Sequence, residues 1–252
     1  MKKIRILAIG NSFSQDAFGH LHNVAKEFSL DVETVNLYIG GCDLARHHKN
    51  MVEDLEEYEY EKNAVMLHMS TIDAALAEGD WDYISFQQVS HATGKPATYA
   101  PYLTELVAHV REKCPKAELL LHETWAYEWD STHGGFAFYE NDQVKMYNKL
   151  YNAYCAAAHR HGLHIIPSGE VVQAVRGVAP FLYKEGGYSL CRDGFHMHFE
   201  HGRYLVALTW LSELFGIRAS ESRYVPGEVC DEQALSVLRE TVDTFFQKRL
   251  QK

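Results

Sequence analysis

Ile4-Arg5-Ile6-Leu7-Ala8-Ile9-Gly10-Asn11-Ser12-Phe13-Ser14 runs from an apolar stretch into a polar turn led by glycine. The apolar part, interrupted only by Arg5, reads as a buried strand, and the spacing over residues 17–28 reads as a helix. Ser12 therefore falls where a strand turns into a helix. In open α/β sheets ligands gather beyond the carboxyl ends of the strands, and a helix that starts there offers free N–H groups to negative charge. Working outward, similar runs recur at Val32–Tyr38, Tyr83–Phe86, Glu118–His122 and His164–Ile166, with helical periodicity in each gap. This alternation predicts an α/β fold: a three-layer, doubly wound, mainly parallel five-stranded sheet of flavodoxin-like type. The best-marked helices cover residues 98–113, 142–161, 200–215 and 232–250, with stops at Pro115, Gly162 and Gly216 for the first three. Residues 58–69 stay open between an exposed strand with a partner and a short helix, and Ser70 is expected to cap a helix through Ala77. Residues 124–139 and 177–192 read as long irregular loops near the strand ends, where loops often carry function.

Length and composition, 252 residues with 46% hydrophobic and 23% charged, suit a single domain over 1–252. The formal charge of −10, from 24 Lys and Arg against 34 Asp and Glu, offers no basic field to a nucleic acid or an anionic membrane. No apolar run approaches the ~20 residues that span a bilayer, and Met1-Lys2-Lys3 leads straight into the first strand, so the expected compartment is the cytoplasm. Cys42, Cys114, Cys155, Cys191 and Cys230 are an odd set without C-x-x-C spacing, as expected of reduced thiols. Homo-oligomerisation is left open.

Near the other end stands Asp193-Gly194-Phe195-His196. A serine hydroxyl is a weak nucleophile until an imidazole takes its proton, and the imidazole needs a carboxylate to fix its tautomer and stabilise its charged form. Asp193 and His196 can meet that need from one tight turn.

With these residues the chain resembles the SGNH, or GDSL-like, hydrolase superfamily over most of its length. Gly10-Asn11-Ser12-Phe13-Ser14 is similar to the first block, Gly40-Gly41 to the glycine of the second, and Asp193-Gly194-Phe195-His196, followed by Gly202-Arg203-Tyr204, to the fifth. Ile166-Pro167-Ser168-Gly169 is similar to the stretch after the fifth strand. The resemblance implies Ser12 as nucleophile, His196 as general base and Asp193 as its orienting partner, with the Ser12 and Gly41 N–H groups in the oxyanion hole and no cofactor. Two departures stand out. Asn11 replaces the usual aspartate, and the third block, G-x-N-D, is absent; Gln87-Gln88-Val89-Ser90 stands in its place. A glutamine amide can donate to an oxyanion, and one such donor is worth ~3 kcal/mol of barrier, so Gln87 is the expected third donor and Ser90 the second choice. The Gly-Asn-Ser-Phe-Ser and Phe-Gln-Gln-Val-Ser patterns look like a bacterial branch apart from the lipases.

Asn11, Ser90, Glu123 and Trp125 are the expected substrate contacts, and the aromatic residues of 124–139 would form a sugar platform or a packed lid. The expected activity is a serine esterase that removes a short acyl group, acetyl above all, from a carbohydrate or another small polar ester. Two alternatives remain: a carbohydrate-binding relative without catalysis, and a metal-dependent hydrolase using His196, His198 and His201 with Asp193. The blander readings are Ser12 as a helix cap, Gly40 and Gly41 as turn residues, and Cys42 and Cys191 as buried neutral thiols.

Overall fold

The computed structural model describes residues 2–227 and 231–251, so Cys230 lies outside the described residues. In chain order its strands and helices are β1 (Ile4–Gly10), α1 (Ser12–Phe18), α2 (Leu21–Glu27), β2 (Val32–Tyr38), α3 (Leu44–Val52), β3 (Tyr58–Lys62), β4 (Val65–Ser70), α4 (Ile72–Ala77), β5 (Tyr83–Phe86), α5 (Tyr102–Lys113), β6 (Glu118–His122), α6 (Gln143–His161), β7 (His164–Ile166), α7 (Ser168–Val175), α8 (His201–Phe215) and α9 (Glu232–Arg249). The sheet order is β4-β3-β2-β1-β5-β6-β7. β2, β1, β5, β6 and β7 are parallel, in the order expected of a doubly wound flavodoxin-like sheet. One group of helices, α1, α2, α8 and α9, packs together, and α3, α4 and α5 form a second group.

The sheet has seven strands, not five. β3 adds antiparallel to β2, and β4 closes a hairpin onto it. The alternation Tyr58-Glu59-Tyr60 is what permits this, since Tyr58 and Tyr60 are buried while Glu59 is exposed. Asn63 and Ala64 make the connection, both with positive φ (49° and 64°), as the commonest two-residue hairpin turns demand. An alanine in the second position hides the Asn-Gly signal that would have revealed the turn. Residues 17–28 form the end of α1 and then α2, with a break at Gly19-His20, and Thr71 rather than Ser70 caps α4. Among the described residues no helix is long and apolar enough to cross a membrane.

The chain leaves β1 toward β2 on one side and later returns to β5 on the other. The crevice at the carboxyl ends of β1 and β5 is therefore the topological switch point, where ligands of such sheets bind. Ser12 follows β1, Gly41 follows β2, Gln87 follows β5, Glu123 follows β6 and Ser168 opens α7 just after β7.

Candidate active site

Asn11, not Ser12, caps α1. Its Oδ1 accepts the Phe13 N–H at 3.0 Å, while Ser14 Oγ accepts the Asn11 N–H at 3.0 Å. With the cap filled by its neighbour, the Ser12 hydroxyl is free for another partner. That partner is His196, whose Nε2 lies 2.9 Å from Ser12 Oγ. On the far side of the ring, His196 Nδ1 lies 2.7 Å from Asp193 Oδ2. Nδ1–H therefore donates to the carboxylate and Nε2 accepts from the serine hydroxyl.

The turn that carries Asp193 and His196 is held from several sides. Asp193 Oδ1 accepts the N–H groups of Phe195 (3.2 Å) and His196 (2.8 Å). Gly194 has φ +86°, a left-handed conformation that glycine adopts without a Cβ penalty. Its carbonyl accepts from Glu128 N at 2.8 Å, and that of Phe195 from Trp125 Nε1 at 2.7 Å. Burial pushes the Asp193 carboxyl up, but the hydrogen bonds from His196 and the two amides outweigh it and leave the group below its usual value.

Residues that sequence reasoning missed tie this turn to α1. Asp16, one helical turn after Ser12, is completely buried. Its Oδ2 accepts the Met197 N–H at 2.8 Å, and its Oδ1 accepts from Arg192 Nη1 (2.9 Å) and Arg203 Nε (2.8 Å). A carboxylate fully removed from water needs such partners. The helix that carries the serine and the loop that carries the histidine thus share one anchor. The sequence signal was faint: an aspartate four residues beyond Ser12 and an arginine next to Asp193.

A second network runs beneath the serine with a fixed polarity. Asn11 Nδ2 donates to Cys42 O at 3.0 Å, so Asn11 Oδ1 is the acceptor, and it takes a further hydrogen bond from Gln87 Nε2 at 2.6 Å. Gln87 Oε1 then faces His122 Nδ1 at 2.9 Å, and His122 Nε2 faces Ser168 Oγ at 3.0 Å. Burial pushes the His122 imidazole down to about 3. The ring is neutral, with its proton on Nδ1 and the Ser168 hydroxyl donating to Nε2.

These contacts correct several expectations. Gln87, expected to reach the oxyanion, is 1% exposed and instead braces Asn11. Asn11, Ser90, Glu123 and Trp125, expected at the substrate, are all buried. Ser90 Oγ bonds the Tyr127 hydroxyl at 2.8 Å, and Glu123 Oε2 accepts from Glu170 N at 3.1 Å. Trp125 stacks on Phe13 with ring centroids 4.5 Å apart. Each ends a strand or follows one, and the crevice floor that these residues form is core. Most of the aromatics of 124–139 are core as well, with Trp129 and Phe138 exposed. That loop is pinned by the buried Glu128–Arg176 ion pair at 3.0 Å and by Ser189 Oγ, which donates to Glu128 Oε1 at 3.1 Å.

Gly41 has φ +64° and open space where a side chain would stand, whereas Gly40 has no positive φ. Burial pushes the Cys42 thiol up to about 12 and raises that of Cys191 too, so neither is a thiolate nucleophile. The metal alternative does not assemble. Both ring nitrogens of His196 are taken, His198 and His201 stack on each other, and among the described residues no three His, Cys, Asp or Glu side chains converge.

The family described as a domain of unknown function (DUF4886) matches residues 5–243. A DUF4886 family protein from Bacteroides uniformis is 35% identical, with 98% of this chain and 95% of that one covered and a TM-score of 0.90. A candidate SGNH hydrolase from Slackia heliotrinireducens is 21% identical, covering 84% and 100%, with a TM-score of 0.59. A variant of Axe2, an acetyl-xylooligosaccharide esterase from Geobacillus, is 14% identical, covering 85% and 96%, with a TM-score of 0.52. No curated protein is similar in sequence. The architecture is thus SGNH-like.

Proposed function

Because the chain belongs to the DUF4886 family and folds as SGNH hydrolases do, we propose that it is a serine esterase acting through Ser12, His196 and Asp193. One observation carries this reading: Ser12 Oγ lies 2.9 Å from His196 Nε2, although 184 residues separate them in the chain.

His196 takes the Ser12 proton as Oγ attacks the ester carbonyl, and Asp193 stabilises the imidazolium that forms. The Ser12 N–H has no intrahelical acceptor at the first position of α1. Together with the Gly41 N–H it receives the oxyanion. Gln87 contributes through Asn11, by holding the turn on which the nucleophile stands. Collapse of the tetrahedral intermediate transfers the proton from His196 to the leaving alcohol and leaves an acyl-Ser12. Water, deprotonated by His196, then releases the acid and restores the hydroxyl. None of these steps uses a metal or organic cofactor.

A short acyl group, acetyl above all, on a carbohydrate or small polar alcohol is the substrate we assign. Support comes from the acetyl-xylooligosaccharide esterase among the structural relatives. Release of acetate from 4-nitrophenyl acetate and labelling of Ser12 by a fluorophosphonate test the proposal. Ser12→Ala is expected to abolish both; sugar binding unaffected by that change in a protein without turnover would favour the non-catalytic alternative.

A further inference from the structure

Two imidazoles that the mechanism does not use border the same crevice. His91 follows β5, and His133 lies in the loop after β6. Their rings are nearly parallel, 20° apart, with centroids separated by 5.9 Å. His133 packs edge-on against Phe195 at 4.9 Å, and Phe195 lies 4.2 Å from the His196 ring. On the other side the loop that carries His91 meets the start of α3, just past the Gly40-Gly41 turn, where Leu44 N donates to Gln88 Oε1 at 3.1 Å. The pair therefore spans the rim from the oxyanion side to the base side. Its closeness is built in: a Cβ on Gly135 would fall 2.3 Å from His91 Cβ, so only glycine lets the 134–139 segment lie on this histidine.

We infer that His91 and His133 form the wall against which the alcohol part of the ester lies, and that this part is an uncharged polyol such as a sugar ring. The inference rests on the esterase reading above. His196 must protonate the leaving oxygen, and the side chain reached next beyond Phe195 is His133, so the leaving group departs along this wall. His133 Nδ1 accepts the Gly135 N–H at 3.0 Å. The neutral ring thus carries its proton on Nε2, a donor without an acceptor among the described residues. Neither ring nitrogen of His91 has a hydrogen-bond partner among them. Burial, with His196 acting on His133 and Lys95 on His91, holds both imidazoles below their usual pKa and hence uncharged at neutral pH. The two rings carry no charge, and the ionised side chains that act on them, Lys95 and Asp43 on His91 and Asp193 on His133, sum to −1, so the wall does not draw in an anion. It does offer N–H donors beside the aromatic face of Phe195, the surface that a ring with hydroxyl edges and C–H faces fits.

The test compares an acetylated methyl xyloside, 4-nitrophenyl acetate and acetoxyacetate as substrates for the wild type, His133→Asn and His91→Phe. Asparagine keeps an acceptor for the Gly135 amide but draws the side chain's donor back from the position of Nε2; phenylalanine keeps the stack and removes both ring nitrogens. Each substitution is expected to raise KM for the xyloside roughly fivefold to tenfold, as loss of one neutral hydrogen bond does, and to change kcat/KM for 4-nitrophenyl acetate less than about twofold, an aryl ester having no polyol oxygens to lose. Equal losses on both esters, no loss on the xyloside, or a wild-type preference for acetoxyacetate would overturn the inference while leaving the esterase standing. Full activity in Ser12→Ala would instead overturn the esterase reading itself.

Discussion

Asp16 shows how a single residue outside the reacting set can decide whether that set exists. It is completely buried, holds Arg192 and Arg203, and accepts the Met197 amide. Asp16→Asn leaves both guanidiniums without their counter-charge. Since each is about one-fifth exposed, the loss should sit near the lower end for a broken buried pair, ~3 kcal/mol. Urea unfolding measures it, and kcat is expected to fall more than KM rises, because the His196 loop loosens while the crevice walls stay. Asp193→Asn acts differently: it permits the wrong imidazole tautomer and should lower kcat by roughly 10⁴-fold with little change in stability. The two aspartates are indistinguishable by residue type, and only their partners separate an anchor between two elements from the partner of the imidazole.

Among the elements, the β3–β4 hairpin departs most from what periodicity could foretell. Ala64 occupies a left-handed turn position, φ +64°, that costs an alanine about 1 kcal/mol relative to glycine. Ala64→Gly is therefore expected to raise stability by ~0.5–1 kcal/mol, read as a higher urea midpoint at unchanged slope. β4 itself is an edge strand whose Val65, Met66, Leu67 and Met69 are exposed. Such an edge, without a charge of its own, invites pairing with other chains. Leu67→Lys is expected to leave stability within about 0.5 kcal/mol and to lower light scattering from concentrated protein. Its distance in the sheet from Ser12, with β3 and β2 between, predicts unchanged kcat.

For the molecule as a whole, buried histidines set the response to acid. His47 and His122 are fully buried, and burial pushes each down to about 3, below the usual 6.5. Between those values the unfolded chain binds protons that the folded chain refuses. Stability from these two groups is therefore complete above pH 6.5 and is lost as pH falls, by ~1.4 kcal/mol per pH unit for each. Glu123 opposes them. Burial, with Glu170 nearby, holds its carboxyl well above the usual 4.5, so the folded chain keeps a proton that the unfolded chain has lost, and stability from this group declines as pH rises past 4.5. Glu123→Gln removes that term. Relative to wild type the variant should gain stability between pH 5 and pH 8, which urea midpoints at the two pH values will show.

The five parallel strands in their chain order, the strand-to-helix setting of Ser12 and the tight Asp193–His196 turn were legible in the sequence, because periodicity, turn chemistry and short spacings are local. Gln87, Asn11, Glu123 and Trp125 were rightly located at strand ends, yet whether a side chain there points into the crevice or into the core depends on neighbours from other strands. The same holds for Asp16, whose partners lie 176 and 187 residues away, and for the edge hairpin, whose second strand gains its place only by pairing. Local sequence thus determined which parallel strands form and where Ser12, Asp193 and His196 stand along them. Tertiary packing alone decided which polar groups meet, because the cost of burying a charge or an unpaired donor is settled by whatever the fold brings beside it.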